Sequence, residues 1–204
     1  MQTPATGKNL TVAMTGASGA LFTATLLRLL QTDDRVASVQ FVASDHALRV
    51  AAEEIGITGR ASLLENLLGD TPTTKIHLRR NDDIGAGIAS GSYPSDGMIV
   101  LPCSMGTLAS IANGLAQRLI ERAADVTLKE RRPLILCVRE TPFNRIHLRN
   151  MTLAAEAGAT IYPVIPALYF KPGSIDEVVH QFCCRVLAHI GLPQPTAYQW
   201  KADD

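Results

Sequence analysis

Leu10-Thr11-Val12-Ala13-Met14-Thr15-Gly16-Ala17-Ser18-Gly19-Ala20 decides the fold: an apolar run of strand length passes through two glycines straight into a segment with helical spacing. A strand that turns directly into a helix opens a βα unit, and the alternation continues downstream. Strands are expected over Leu10–Thr15, Val39–Val42, Lys75–Leu78, Met98–Leu101, Leu134–Val138 and Thr160–Val164. Helices are expected over Ala20–Leu30, Asp45–Glu54, Ser62–Leu68, Thr107–Ala112, Leu119–Glu130, Ile146–Ala157 and Ile175–Ile190. Strands apolar along their whole length belong to a parallel sheet covered on both faces, which makes this an α/β chain. Ser44 can cap the second helix, Gly158 can stop the sixth, and Pro133 keeps the residue before it from continuing a helix.

At 204 residues, 47% hydrophobic and 19% charged, the chain can bury one full core, and a single domain over 1–192 is expected, with a tail over 193–204. Pro193 and Pro195 break the last helix. The tail then carries Tyr198 and the chain's one tryptophan, Trp200, so it should pack on something. Basic and acidic residues balance at 19 each, which leaves no net field for nucleic acid or an anionic membrane; any polyanion site must be local. The four cysteines, Cys103, Cys137, Cys183 and Cys184, lack CxxC spacing and read as reduced thiols of a cytoplasmic protein. Met1 to Lys8 lacks the apolar core of a secretion signal, and no apolar run is long enough to span a bilayer, so a soluble protein is expected.

The turn Gly16-Ala17-Ser18-Gly19 places free N–H groups and the positive end of a helix at the carboxyl edge of the sheet, where a phosphate can bind. By itself it reads equally well as a tight turn with a serine cap, because it is neither a full GxGxxG nor a P-loop. A second turn of the same kind, Pro102-Cys103-Ser104-Met105-Gly106-Thr107, follows the strand at Met98–Leu101. Two such turns suit a mononucleotide.

Arg122, Asp125 and Lys129 share a helix face in the run Glu121–Arg132; by spacing this is either a solvated face with internal ion pairs or part of a site. Arg139-Glu140-Thr141-Pro142 follows a strand at the edge where open α/β sheets bind ligands. A guanidinium there can grip phosphate and a carboxylate can carry a proton, though a salt-bridged turn fits the same residues. Tyr169, in a proline-rich segment, and Arg185, on the last helix, read from spacing alone as a loop aromatic and a surface arginine. The five histidines are scattered without ligand spacing, no GxSxG elbow occurs, and aromatics are 5% of the chain, so metalloenzyme, hydrolase and single-strand nucleic-acid readings fall away.

Taken together, Met14-Thr15-Gly16-Ala17-Ser18-Gly19-Ala20, Ala89-Ser90-Gly91-Ser92, Pro102-Cys103-Ser104, Glu121-Arg122-Ala123-Ala124-Asp125-Val126, Leu128-Lys129-Glu130-Arg131-Arg132-Pro133, Val138-Arg139-Glu140-Thr141-Pro142 and the Tyr169 loop form an ordered set that resembles the UbiX-type flavin prenyltransferases from about Leu10 to Leu192. The resemblance implies a Rossmann-like (flavodoxin-like) three-layer sandwich in a dodecamer. It implies reduced FMN as substrate, dimethylallyl phosphate as prenyl donor, no metal, and prenylated FMN as a product passed to a UbiD-type decarboxylase. FMN would be held by Gly16, Ala17, Ser18, Ser44, Ser104, Met105, Gly106, Thr107 and Arg139. The prenyl phosphate would be held by Lys129, Arg139, Tyr169 and Arg185, with Ser90 and Gly91 reaching it from a neighbouring subunit. Glu140 would donate a proton to the leaving phosphate, Ser18 and Glu54 would relay the proton lost from flavin C6, and Arg122 and Lys129 belong to the same catalytic set; a one-residue slip would exchange Glu54 for Glu53. Tyr93-Pro94-Ser95-Asp96, Phe143-Asn144-Arg145 and Leu168-Tyr169-Phe170-Lys171 depart from the family's usual forms. A related FMN-dependent cysteine decarboxylase would need a histidine near Ala89–Ser92 and a Pro-Ala-Ser-Ala-Asn-Thr-like turn, neither of which is present. A non-catalytic flavin-binding protein is the third reading.

Overall fold

The computed structural model describes residues 7–57 and 59–200; the first six residues and the last four of the expected tail lie outside them. The strands are β1 (Lys8–Met14), β2 (Val36–Ala43), β3 (Ile76–Arg80), β4 (Gly97–Cys103), β5 (Leu134–Val138) and β6 (Thr160–Ile161). The helices are α1 (Ala20–Thr32), α2 (Asp45–Ile55), α3 (Leu63–Leu68), α4 (Met105–Ala112), α5 (Leu119–Lys129), α6 (Arg145–Glu156) and α7 (Ile175–His189), with a 3₁₀ turn at Gly87–Ala89. All strand pairs are parallel, in the order β3-β2-β1-β4-β5-β6, the doubly wound Rossmann arrangement.

Alternation along each central strand feeds two cores. Leu10, Val12 and Met14 of β1, Ile99 and Leu101 of β4, and Ile135 and Cys137 of β5 face α1 and α7, where Leu26, Leu27, Leu30, Cys183 and Leu187 are fully buried. Ala13, Met98, Val100, Leu134, Leu136 and Val138 point the other way, into α4, α5 and α6. This makes a three-layer sandwich, with all four cysteines buried and unpaired. Burial pushes the Cys103 thiol up to about 12, so these thiols stay protonated. No described helix is long and apolar enough to cross a membrane.

The elements expected from sequence are present, with edges moved. Helix α4 begins at Met105 instead of Thr107 because the Ser104 hydroxyl accepts from the Thr107 N–H and caps it. Strand β6 ends at Ile161 instead of Val164: Pro163 has no N–H to continue the ladder, although Tyr162 N–H and Val164 N–H still donate to Leu136 O and Val138 O. Strands β2 and β3 run to Ala43 and Arg80, beyond the expected Val42 and Leu78.

In such a sheet every strand ends at one edge. Carboxyl-edge turns follow β1, β2, β4 and β5, whereas segments entering β4 and β5 lie at the amino edge. The β1 carboxyl end lies between β2 and β4, where the winding direction switches and a crevice opens.

Candidate active site

The turn after β1 is tied down twice. The Thr15 hydroxyl donates to Pro102 O (2.8 Å) and accepts from the Ser104 N–H (2.8 Å), so one fully buried side chain locks this turn to the turn after β4. Gly16 is required by packing: a Cβ there would stand 2.4 Å from the His46 Cβ at the start of α2. Gly19, at φ 133°, sits where a side chain is strained, and its N–H does not stay free.

The N–H groups that open α1, which the sequence leaves available to a phosphate, are taken by Glu54. Its carboxylate accepts from Gly19 N–H (2.9 and 3.1 Å) and Ala20 N–H (2.8 Å). Glu54, not Glu53, therefore reaches the turn. Burial opposes its ionisation, but the Ser18 hydroxyl, these two N–H groups and the nearby Arg139 charge outweigh burial and hold the carboxyl below its ordinary value. Ser18 does not cap α1; Gly19 occupies that position, and Ser18 faces the carboxylate instead.

The turn after β4 differs. Ser104 caps α4, and at Gly106 an added Cβ would meet nothing within 4 Å, so the first turn of this helix can be approached from outside. Ser44 similarly caps α2 through the Ala47 N–H (3.1 Å), while its own N–H donates to Met14 O (3.0 Å). Arg139 leaves β5 with its N–H on Cys103 O (3.1 Å), and the Glu140 carboxylate accepts from Thr141 N–H (2.9 Å); both residues are exposed. Gly16, Ala17, Ser18, Ser44, Glu54, Ser104 to Thr107, Arg139 and Glu140 thus converge on one edge. Backbone donors at an open helix start, hydroxyls and a guanidinium are the donor set that a flavin mononucleotide's phosphate and ring oxygens require.

Ser90, Gly91, Arg122 and Lys129 assemble elsewhere. Arg122 donates to Ala89 O (3.1 Å) and pairs with Asp125 (2.8 Å), and Arg132 donates to Gly91 O (2.9 Å) and Tyr93 O (3.0 Å). The segment then enters β4 with Asp96 bonded to Asn9, at the start of β1. Gly91 lies directly on the side chains of Lys129 and Glu130, which pair with each other. This cluster is at the amino edge, separated from Arg139 by the length of β4, seven residues, or about 20 Å. Arg122, expected among the catalytic residues, has the contacts of a residue that holds the 89–93 loop.

Tyr169 and Arg185, which spacing could not connect, face a common cavity. Both line a cavity of about 650 Å³ between the loop after β6, α7 and the C-terminal tail. That loop leaves the sheet beside Arg139, through the Val164 N–H on Val138 O. The tail packs as anticipated, with Trp200 edge-on to Tyr169 at 5.0 Å and Tyr198 near Phe170 at 5.8 Å between ring centroids. The tie made by Thr15 is invisible in the sequence; a threonine between an apolar strand and a glycine turn gives no sign of bonding across 87 residues.

Residues 1–186 match the Flavoprotein family model. The flavin prenyltransferase UbiX of Salmonella typhimurium is 44% identical over 188 residues, 92% of this chain and 94% of that protein. A crystal structure of AnUbiX (PadA1) in complex with FMN and dimethylallyl pyrophosphate superposes with a TM-score of 0.84 at 39% identity, covering 96% of this chain and 98% of that one. A dodecameric FMN-dependent UbiX-like decarboxylase from Escherichia coli O157:H7 superposes equally well, TM-score 0.84 at 40% identity, over 95% of this chain and 100% of that one. The chain belongs to the flavoprotein family and, within it, to the UbiX flavin prenyltransferases.

Proposed function

We propose that this chain transfers a dimethylallyl group from dimethylallyl phosphate to N5 and C6 of reduced FMN, releasing phosphate and making prenylated FMN. The observation that carries this is Glu54: an ionised carboxylate shared by Ser18 and the start of α1, within the field of Arg139, in a chain of this family. When bound, reduced FMN supplies the nucleophilic N5 and C6. The residues of the 1–192 unit do the remaining work. Ser44, Met105, Gly106, Thr107 and Arg139 hold the flavin, with Gly16 and Ala17 shaping the floor beneath it. The allylic C1–O bond breaks more readily when the departing phosphate is gripped by cations and receives a proton, so Arg139, Lys129 and Arg185 bind the phosphate and Glu140 protonates it. Tyr169 supports the phosphate by hydrogen bonding. C1 would join N5 as the C1–O bond breaks and N5 gives up its proton; C3 would join C6 as the C2=C3 double bond takes up a proton at C2, and Ser18 and Glu54 would accept the proton that C6 releases, so the two protons lost from the flavin match those gained by C2 and the departing phosphate.

Lys129 stands on Gly91 at the amino edge, so if Ser90 and Gly91 come from a neighbouring subunit, Lys129 comes with them. We infer a homo-oligomer, the dodecamer of its relative, working in the cytoplasm and passing its product to a UbiD-type decarboxylase.

Anaerobic incubation with reduced FMN and dimethylallyl phosphate, followed by mass spectrometry of the released flavin, tests the reading. A gain of one prenyl group is expected; an unchanged flavin mass rejects it. Glu140→Gln should keep FMN bound and slow turnover on the order of a hundredfold.

A further inference from the structure

Gln181, on α7, makes two bonds to one stretch of backbone. Its Nε2 donates to Thr196 O (2.9 Å) and its Oε1 accepts from the Tyr198 N–H (2.7 Å), so a single amide pairs with the tail as a neighbouring strand would. The His180 ring meets the Thr196 hydroxyl at 2.9 Å beside it. The start of the tail is held separately, by Gln194 on Asp33 (3.0 Å) and by Arg35 on Pro193 O (2.9 Å).

Among the described residues, the end of the tail meets the loop after β6 through the Tyr198–Phe170 and Trp200–Tyr169 ring contacts, and Tyr198 and Trp200 remain 41% and 61% exposed. Their positions matter, because they wall the cavity that Tyr169 and Arg185 also line. Gln181 lines it too, and Arg185 follows four residues later on the same face of α7.

We propose that Gln181 is a positioning residue for the prenyl donor: it fixes the tail so that Tyr198 and Trp200 close the apolar wall of the cavity whose cation is Arg185. The identity of the ligand rests on the prenyltransferase reading; the seating of the tail does not. Without the clasp, each productive encounter must order a segment of free chain, which weakens donor binding and leaves the flavin site at the carboxyl edge untouched.

Gln181→Leu keeps the bulk and removes both bonds, whereas Gln181→Glu can still accept from Tyr198 N–H but cannot donate to Thr196 O. Trp200 is the chain's one tryptophan, so acrylamide quenching of its emission in the flavin-free protein reads the seat of the tail. In the leucine variant quenching should increase and KM for dimethylallyl phosphate should rise about tenfold, with FMN affinity unchanged and kcat little altered. The glutamate variant should fall between it and the unaltered protein. Unchanged quenching overturns the proposal, as does increased quenching with an unchanged KM, or a loss shared equally by FMN affinity. Should the unaltered protein add no mass to flavin, the proposed function falls and the donor role with it, while quenching still decides whether Gln181 seats the tail.

Discussion

The turns after β1 and β4 look interchangeable in sequence, each running from an apolar strand through a serine into a helix, yet the structure fills one and leaves the other open. At α1 the first N–H groups already have a carboxylate, Glu54, and the glycine is crowded by His46. At α4 a serine caps the helix, and the space over Gly106 is clear. The same local motif can therefore make a place for a proton acceptor or a place for an anion, and a side chain from another element decides between them.

The sharpest way to break this contrast is Gly16→Ala. Its methyl meets the His46 Cβ, which cannot move without α2, so a loss of about 3 kcal/mol is expected in urea unfolding. Adding His46→Gly should restore part of it; no restoration would mean the crowding lies elsewhere. Thr15→Val comes next, at about 2 kcal/mol, because the Ser104 N–H and Pro102 O lose their shared partner. Thr15→Ser should recover most of that loss, and a serine variant that loses more than the valine one would show that the methyl, not the hydroxyl, matters.

Glu54→Gln is expected to cost about 1 kcal/mol at neutral pH, a modest figure because the carboxylate is partly open to water. Its folded value is depressed, so its stabilisation is present above the ordinary 4.5 and is lost as pH falls through the lower folded value. The gap between variant and parent should therefore narrow in acid; a constant gap would refute an ionised Glu54. Gly106→Ala is the smallest effect on stability, within about 0.5 kcal/mol, and should instead weaken FMN binding in a fluorescence titration. A destabilisation matching that of Gly16→Ala would erase the distinction between the turns.

The fold was legible because β1, β4 and β5 are apolar on both faces and because glycine or proline follows or precedes each of them. Turn chemistry placed the Ser44 cap correctly, since a helix cap is decided within three residues, whereas Ser104 caps a helix that begins two residues before the expected Thr107. Glu54 on Gly19 is 35 residues distant, and Thr15 on Pro102 is 87, so no local pattern could announce either contact. The order of motifs names candidate site residues but says nothing of their arrangement. Lys129 and Arg139 are ten positions apart in sequence and, because β5 runs between them, stand at opposite edges of the sheet.

That separation also constrains the assembly. A phosphate gripped by Lys129 of one chain and Arg139 of another requires contact between unlike ends of identical molecules. Two chains can satisfy this reciprocally about a two-fold axis, which completes two centres at once; a joint that is not reciprocal must, when repeated, either close into a ring or grow without limit. A closed ring has as many complete centres as chains, whereas a linear stack always leaves one unmatched half at each end. Mixing a Lys129→Ala chain with an Arg139→Ala chain would consequently regenerate some intact centres from two inactive parents.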